Sequence, residues 1–547
     1  MKSSLTRVER DSMGEVSVPA GALYGASTQR AVQNFPISDL RLAPEFISAL
    51  ALIKLCAARV NARNGSLSRK KAGAIVKAAR EVIAGRFYDQ FVVDVFQTGS
   101  GTSTNTNMNE VLARRARLIM REDPDDRDVL HPNDHVNLGQ SSNDVIPTAL
   151  HLSALVLSRS LLLPALAALE EALASKAEAF ADIVKNGRTH HQDAVPIRLG
   201  QEFSGYAAQI GQAARSIDQT AERLHYLAIG GTAVGTGVNS AVGFGSDVCA
   251  EISQFLGIAV EESENHFRSQ ATIDDVVAFS ATLRTLALAY IKIVNDLRWM
   301  SSGPSSGLSE ISIPAVQPGS SIMPGKVNPV ILESAHMAAL QVLGADTVIA
   351  YAAQSGSFEL NATLPVVAFN LLQAIKLLAV SADNMRQKCI DGIEPNPKGL
   401  SGVERNNALA TALNPVIGYD RAAAIAKIVS QTGESVLAVA LRETGMAEAE
   451  LKRLLDPLTM TAPGNAVRAK KTPRARTKNM ASNGKKGYRV GDRVEFLGYK
   501  TAISWGDRKP QRYGFIESID GAYINVRPRW WPEGEVIERY PAEIKPA

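Results

Sequence analysis

Long stretches with apolar residues at helical spacing constrain the fold of this chain more than any other feature. The segments 148–185, 270–301 and 333–354 place alanine, leucine, valine and isoleucine along one helical face and are longer than an average helix. Only 6% of the residues are aromatic, a composition typical of helical bundles. The pattern therefore predicts a mainly α-helical protein whose long helices pack side by side in a bundle.

The length of 547 residues exceeds one compact core and predicts several domains. Breaks at glycine and proline, together with changes in composition, divide the chain. The predicted parts are an N-terminal domain at 1–140, a central helical bundle at 141–365, a C-terminal helical domain at 366–463, a basic flexible linker at 464–487 and a small β-barrel of SH3-like type at 488–547.

The sequence predicts a soluble, cytoplasmic protein. No apolar run follows residues 1–6, so no signal peptide is expected. The most apolar segment, 152–169, is interrupted by Arg159 and Pro164, which favours a buried helix over a membrane span. The three cysteines lie far apart in apolar, helix-like contexts, as expected for reduced core residues: Cys56, Cys249 and Cys389.

Charge is distributed unevenly along the chain. Of the net charge of +4, the segment 464–487 contributes eight basic and no acidic residues and the segment 488–547 a further +1, which leaves the first 463 residues with a balance of −5. The basic linker and the aromatic residues beyond it suit nucleic acid, through phosphate contacts and base stacking. A solvated tether to a protein-interaction module is favoured, because the β segment itself is nearly neutral.

Four polar segments lie next to predicted helices: 97–109, 131–144, 187–196 and 319–329. Hydroxyl and amide groups at a helix start suit an anion, because the helix dipole and the first backbone N–H groups add to them. In the last segment, Lys326 and Asn328 lie two residues apart and can face one side of an extended backbone. Each segment alone also fits a capped loop or a Gly/Pro connector.

Two further motifs are poor candidates for a metal or a cofactor. The adjacent histidines His190 and His191 point apart on a strand or a helix, and no cysteine or acidic residue completes a ligand set. The glycine-rich segment 229–245 lacks the preceding strand and the spacing of a dinucleotide-binding turn. The sequence therefore predicts no metal and no cofactor.

The segment 319–329, GSSIMPGKVNP, together with the other three polar segments, resembles the fumarase/aspartase superfamily, and the resemblance covers about residues 7–460. The closest pattern is that of class II fumarate hydratase. It is carried by QTGSGT at 97–102, by His131 before Pro-Asn-Asp, and by GRTH at 187–190. His191 and Arg268 depart from the family pattern, which bears on fine specificity.

The resemblance implies reversible hydration of fumarate to L-malate, by anti addition and elimination through an aci-carboxylate carbanion, without a metal. Ser320 would be the carbon-acid base and His190 the general acid, oriented by Glu333. The substrate-binding groups would be Ser100, Thr102, Ser141, Ser142, Asn143, Thr189, Lys326 and Asn328. A second carboxylate site would map to His131, Asn133 and Asp134, although His131 also fits a capping role.

The resemblance also implies a homotetramer whose active sites combine polar segments from different subunits. The enzymatic alternative is aspartate ammonia-lyase, in which ammonia leaves instead of water through the same type of carbanion. A non-catalytic structural member of the superfamily is disfavoured, because every polar position of the pattern is still present.

Overall fold

The computed structural model of the protein describes residues 6–463, and beyond them the backbone of five strands. Its contacts divide the chain into two compact units, Met1–Val467 and Arg468–Ala547. The finer division into five parts remains a prediction. The predicted basic linker at 464–487 lies outside the described residues.

Helices make up most of the first unit, as the sequence predicted. In chain order they are α1 Ala26–Asn34, α2 Pro44–Arg63, α3 Arg69–Ile83, α4 Thr102–Met120, α5 Ser142–Leu157, α6 Leu163–Ala179, α7 Leu199–Ala221, α8 Phe244–Leu256, α9 His266–Ala271, α10 Asp274–Met300, α11 Val330–Ala352, α12 Leu364–Lys388, α13 Pro397–Leu400, α14 Asn414–Ile417, α15 Tyr419–Thr432, α16 Val436–Thr444 and α17 Glu448–Leu454.

The helix predicted over 148–185 differs in detail. It begins earlier, at Ser142, because Ser141 caps it, and it ends at Ala179. A π-helical turn at Ser158–Leu162 separates α5 from α6 just before Pro164. Proline has no backbone N–H to donate to the carbonyl four residues back, and this favours a local widening of the helix.

One continuous apolar core joins the long helices. Helices α10, α11 and α12 pack against one another, and α6 packs against α7 and α12. Large side chains such as Phe203, Phe279 and Tyr290 are completely buried there. A second, smaller apolar cluster runs from Leu409 to Leu455 and holds the C-terminal helices together.

The strands of the first unit form short two-stranded pairs. They are β1 Thr6–Asp11 with β2 Gly14–Pro19, β3 Val184–Thr189 with β4 Gln192–Arg198, β5 Tyr226–Leu227 with β6 Glu261–Glu262, β7 Ile311–Ser312 with β10 Glu394–Pro395, and β8 Gly356–Ser357 with β9 Leu360–Asn361. The β3–β4 hairpin carries the predicted acid His190 at its tip.

The second unit contains an antiparallel sheet of five described strands. They are β11 Arg493–Phe496, β12 Tyr513–Asp520, β13 Tyr523–Pro528, β14 Glu538–Pro541 and β15 Ile544–Pro546, in the order β14-β13-β12-β11-β15. All five lie within the predicted β segment 488–547. Closure of this sheet into an SH3-like barrel, and any binding of nucleic acid or protein by it, remain predictions.

Apolar surface remains exposed along the long helices. The segments Ser142–Ala179, Asp274–Met300 and Leu364–Gly392 have the length and composition that a membrane-spanning helix needs, and only about half of each is buried within the chain. On α11, which packs beside two of them, the side chains of Met337 and Tyr351 are 64% and 69% exposed. A single copy of the chain therefore leaves part of its bundle uncovered.

Candidate active site

The loop Gly319–Pro329 directs backbone donors at the hydroxyl of Ser320. The N–H groups of Ile322 and Met323 both donate to Ser320 Oγ, at 3.3 and 3.2 Å. Hydrogen bonds to a charged form favour that form, so two donors on one oxygen lower the cost of negative charge there. Both donors would stabilise an alkoxide at Ser320.

The same loop is closed at its base by Asn328. Asn328 Nδ2 donates to the carbonyl of Gly319 at 2.7 Å, and Gly319 N–H donates to the carbonyl of Lys326 at 3.0 Å. A Cβ on Gly319 would lie 2.2 Å from that carbonyl oxygen, so only glycine fits. Asn328 therefore braces the loop with one of its N–H groups, and the exposed ammonium of Lys326 has no partner within residues 6–463.

The first two polar segments meet through a chain of hydroxyl groups. Ser100 Oγ lies 2.7 Å from Thr102 Oγ1, which lies 2.7 Å from Ser142 Oγ. Thr102 opens α4 and Ser142 opens α5, so the chain links the N-termini of two helices. The positive ends of both helix dipoles thus converge on three hydroxyls, a suitable environment for a carboxylate.

Asp144 holds the second polar segment against the glycine-rich loop. Its Oδ1 accepts from the backbone N–H of Ser141, and its Oδ2 accepts from those of Gly230 and Thr232. Beside it, Asn143 Nδ2 donates to the carbonyl of Ala233 at 2.8 Å, which commits part of this predicted ligand to structure. Burial raises the pKa of Asp144 to about 6, against the lowering effect of these backbone hydrogen bonds.

This raised pKa predicts a pH dependence of stability. In the folded protein the pKa of Asp144 lies above its ordinary value of 3.8, so folding favours the protonated carboxyl group. The contribution of Asp144 to the free energy of unfolding is therefore fully present below about pH 4 and is lost as pH rises through about 6. Two pKa units correspond to about 3 kcal/mol. We expect Asp144→Asn to flatten the change in unfolding free energy between pH 4.5 and 6.5, measured with denaturant at constant protein concentration. The exposed Asp218→Asn is the control, and an unchanged pH dependence in Asp144→Asn would contradict the assignment.

A buried polar cluster below the hydroxyl chain was missed by the sequence analysis. Asn137 Oδ1 accepts from Lys54 Nζ at 2.7 Å and from the side-chain amides of Asn105 and Asn109 at 3.2 Å. Burial lowers the pKa of the fully buried Lys54 to about 7. The sequence signal was the spacing of Asn105 and Asn109, four residues apart, which places both on one face of α4. The polar residues 102–109 thus belong to the helix and do not form a loop before it.

The tip of the β3–β4 hairpin presents His190 to solvent. His190 and His191 both adopt the left-handed conformation, with φ of +56° and +59°, and Thr189 pairs with Gln192 across the turn. Two consecutive residues at positive φ define the type I′ turn, which normally contains asparagine, aspartate or glycine. Histidine adopts positive φ more readily than most residues, although less readily than glycine.

His191 and Arg268, the two departures from the family pattern, make separate contacts. The His191 ring lies 6.1 Å from the Trp299 ring, centroid to centroid. Arg268 donates to Asp275 at 2.8 Å and so links α9 to α10. Neither contact reaches the loop Gly319–Pro329.

Glu333 occupies the first turn of α11, half-buried, four residues beyond the loop's end at Pro329. Within residues 6–463 its carboxylate has no side-chain partner, and neither it nor Ser320 contacts His190. Within one polypeptide, hydrogen bonds thus join Ser100, Thr102 and Ser142. The tip of the β3–β4 hairpin and the loop Gly319–Pro329 remain apart from them.

The predicted second carboxylate site is one turn, Pro132–Val136, capped by His131. His131 Nδ1 accepts from the backbone N–H groups of Asn133 and Asp134, at 3.2 and 3.3 Å. Asp134 Oδ2 lies 3.3 Å from the same nitrogen, a contact that stabilises only the protonated ring. His131 is therefore a capping residue here, and in its neutral form the ring donates through Nε2.

Among the described residues, no three histidine, cysteine, aspartate or glutamate side chains are grouped as a metal site would require. The three cysteines are unpaired and buried. Burial raises the pKa of Cys56 and of Cys389 to about 12, so their thiols are unreactive at neutral pH.

Comparison with known proteins places this geometry in a family. The profile described as Lyase matches residues 14–344, and that described as Fumarase C C-terminus matches 409–462. The class II fumarate hydratase of Xylella fastidiosa strain Temecula1 is 49% identical over 459 residues, covering 84% of this chain and 96% of the relative. That of Chromobacterium violaceum is 49% identical over 436 residues, covering 80% and 95%.

Solved structures agree with the sequence relatives. Recombinant class II fumarase from Schistosoma mansoni matches with a TM-score of 0.82 and 38% identity, over 84% of this chain and all of that chain. The fumarate lyase:delta crystallin structure from Brucella melitensis, bound to cobalt, matches with a TM-score of 0.81 and 44% identity over the same shares. The chain belongs to the class II fumarate hydratase family of the fumarase/aspartase superfamily.

Proposed function

We propose that this chain is a hydro-lyase that catalyses the reversible hydration of fumarate to L-malate. The observation that carries the proposal is the identity of 49% to class II fumarate hydratases across 96% of their length. The arrangement of the loop Gly319–Pro329 supports it, because two backbone donors meet at the hydroxyl of the proposed base.

Dehydration of malate begins with removal of a proton from the carbon next to a carboxylate. Ser320 takes this proton as an alkoxide that the N–H groups of Ile322 and Met323 stabilise. The carbanion electrons move into the neighbouring carboxylate, which then carries two negative charges. Lys326, whose ammonium is exposed and unpaired within residues 6–463, stabilises that charge.

Loss of the hydroxyl group completes the reaction. His190 donates a proton to the departing oxygen, on the face of the substrate opposite Ser320 as anti elimination requires, and Glu333 orients its ring in the assembled site. The hydroxyl chain Ser100–Thr102–Ser142 and the N-termini of α4 and α5 bind the second carboxylate. Ser141, Asn143, Thr189 and Asn328 complete the pocket.

The active site forms on assembly of a homotetramer. Within one chain the hairpin tip contacts neither the hydroxyl chain nor the loop, yet the reaction needs all three around one substrate. The long helices leave apolar faces exposed, on α10 to α12 above all, and identical copies packed along these faces would bury them. The buried, unpaired cysteines fit a cytoplasmic enzyme.

The direct test is a comparison of substrates with the purified full chain. We expect L-malate to give the ultraviolet absorbance of fumarate, whereas L-aspartate gives none. Fumarate formed from aspartate and not from malate would show an ammonia-lyase instead. The same assay on residues 1–463 determines whether the C-terminal extension contributes to turnover.

Sharing of sites between subunits predicts complementation. Chains carrying Ser320→Ala are mixed in equal amounts with chains carrying His190→Asn and reassembled. An active site shared between chains can then contain both substitutions, one of them or neither. If the two residues come from different chains, about one quarter of the sites are intact. Malate turnover should then recover to about that fraction of wild type, and a mixture as inactive as its parents would contradict shared sites.

A further inference from the structure

Two cations of strand β3, Lys185 and Arg188, contact one carboxylate. Residues three apart in a regular strand point to opposite faces, so Lys185 and Arg188 would normally diverge. The pairing register shifts between Asn186 and Arg188, because β4 has two residues opposite the single Gly187 of β3, and a Cβ on Gly187 would lie only 2.7 Å from the carbonyl oxygen of Val195. Such a bulge increases the local twist of a strand pair, and both side chains reach the same carboxylate just before the His190 turn.

The carboxylate that they share is that of Glu310, which is 2% exposed. Lys185 Nζ lies 2.7 Å from Glu310 Oε2 and 2.7 Å from Glu202 Oε2. Arg188 donates to both Glu310 oxygens, at 2.6 and 3.1 Å. Burial opposes a charge on Arg188, yet its hydrogen bonds to Glu310 outweigh that effect and hold its pKa above the ordinary value.

Glu310 is also fixed through its backbone. Its N–H donates to the carbonyl of Met300 at the end of α10, and its carbonyl accepts from the N–H of Asn396, both at 2.8 Å. Strand β7 follows at once, and the chain then runs to Ser320. One residue therefore anchors the start of the segment that leads to the proposed base, and its side chain holds the hairpin that carries the proposed acid.

We propose that Glu310 is a positioning residue that sets the His190 turn and the segment leading to Ser320 relative to each other within one chain. This inference rests on the proposed function for its catalytic consequence. In a tetramer with shared sites, the two elements serve different active sites, so Glu310 links neighbouring sites through one subunit. The simpler reading is a buried ion cluster that stabilises the fold alone.

Hydrogen exchange tests the geometry without reference to activity. Glu310→Gln keeps the size of the side chain and loses the charge that both cations require. We expect amides in 184–198 and in 311–323 to exchange about tenfold faster than in wild type, because local opening becomes easier. The control is Glu81→Gln. It disrupts the two hydrogen bonds that Arg115 donates to Glu81, and both residues lie far along the chain from either segment. Unchanged exchange in either segment of Glu310→Gln would overturn the inference.

Kinetics separate positioning from general stability. We expect Glu310→Gln to lower kcat for malate about 10- to 100-fold with the tetramer retained, because small displacements of reacting groups have large effects on rate. Added to His190→Asn it should lower kcat further by clearly less than it does in the wild type, since one of the two elements that it positions has already lost its catalytic group. Full additivity would favour a structural role and overturn the inference.

A second variant, Arg188→Lys, keeps this test decisive. If Glu310→Gln does not assemble, Arg188→Lys retains the charge and loses the paired hydrogen bonds, and we expect it to show the same exchange pattern and the same non-additivity. A wild-type chain that does not convert malate would count against the proposed function alone, because the exchange measurement still decides the role of Glu310.

Discussion

Replacing Ser320 with alanine is expected to lower kcat for malate dehydration by about 10²- to 10⁴-fold, the range typical of a lost proton-transfer group. The structure explains the size of the effect. Two backbone N–H groups stabilise charge on Ser320 Oγ, and without that oxygen the rest of the loop offers no base within their reach. KM should change much less than kcat, because the proposed binding groups are other side chains.

The matched control is Ser321→Ala, which removes the adjacent, exposed hydroxyl. Ser321 makes no side-chain contact within residues 6–463, so this variant should stay within about tenfold of wild type if proton abstraction belongs to Ser320. Size-exclusion chromatography should give the wild-type assembly for both variants. Near-normal turnover in Ser320→Ala would remove the serine from the mechanism.

His190→Asn is expected to lower kcat by a similar factor of about 10²- to 10⁴-fold, since departure of hydroxide without a proton donor is slow. Asparagine suits this test because the turn needs a residue that tolerates positive φ, and His190 has φ of +56°. The variant therefore removes the imidazole and keeps the hairpin. Steady-state turnover of malate and of fumarate measures the effect in both directions.

His191→Asn makes the same change one residue further along the same turn, at φ of +59°. It should retain most of the activity, because the His191 ring lies beside Trp299 and is not assigned to the chemistry. Loss of activity in both variants would indicate that the shape of the turn is what matters. Loss of activity in His191→Asn alone would indicate that His191, and not His190, is the general acid.

Sequence patterns were sufficient for the architecture. Helical spacing predicted the bundle, and the predicted Gly/Pro connector at 319–329 lies between α10 and α11 in the structure. Two of the polar segments were also located correctly at helix starts, since Ser141 and the loop ending at Pro329 precede α5 and α11. Local signals of this kind depend on neighbours in the chain, which a single sequence displays.

Contacts between distant residues could not be predicted in this way. Asp144 meets the N–H groups of Gly230 and Thr232, and Arg188 meets Glu310, across separations of about ninety and 122 residues. No local pattern marks a carboxylate for such a partner. The bulge in β4 opposite Gly187 was equally hidden, because it depends on the register between β3 and β4. The assignment of Ser320 and His190 came from family resemblance.

The burial of the cysteines has a practical consequence for observing this enzyme at work. Cys56, Cys249 and Cys389 are buried, and burial raises the pKa of each thiol, so alkylating reagents should leave the folded native chain unmodified. A cysteine introduced at the exposed position 321 would then be the reactive one, without removal of native thiols. A fluorophore placed there would report whether the surroundings of the loop change during turnover.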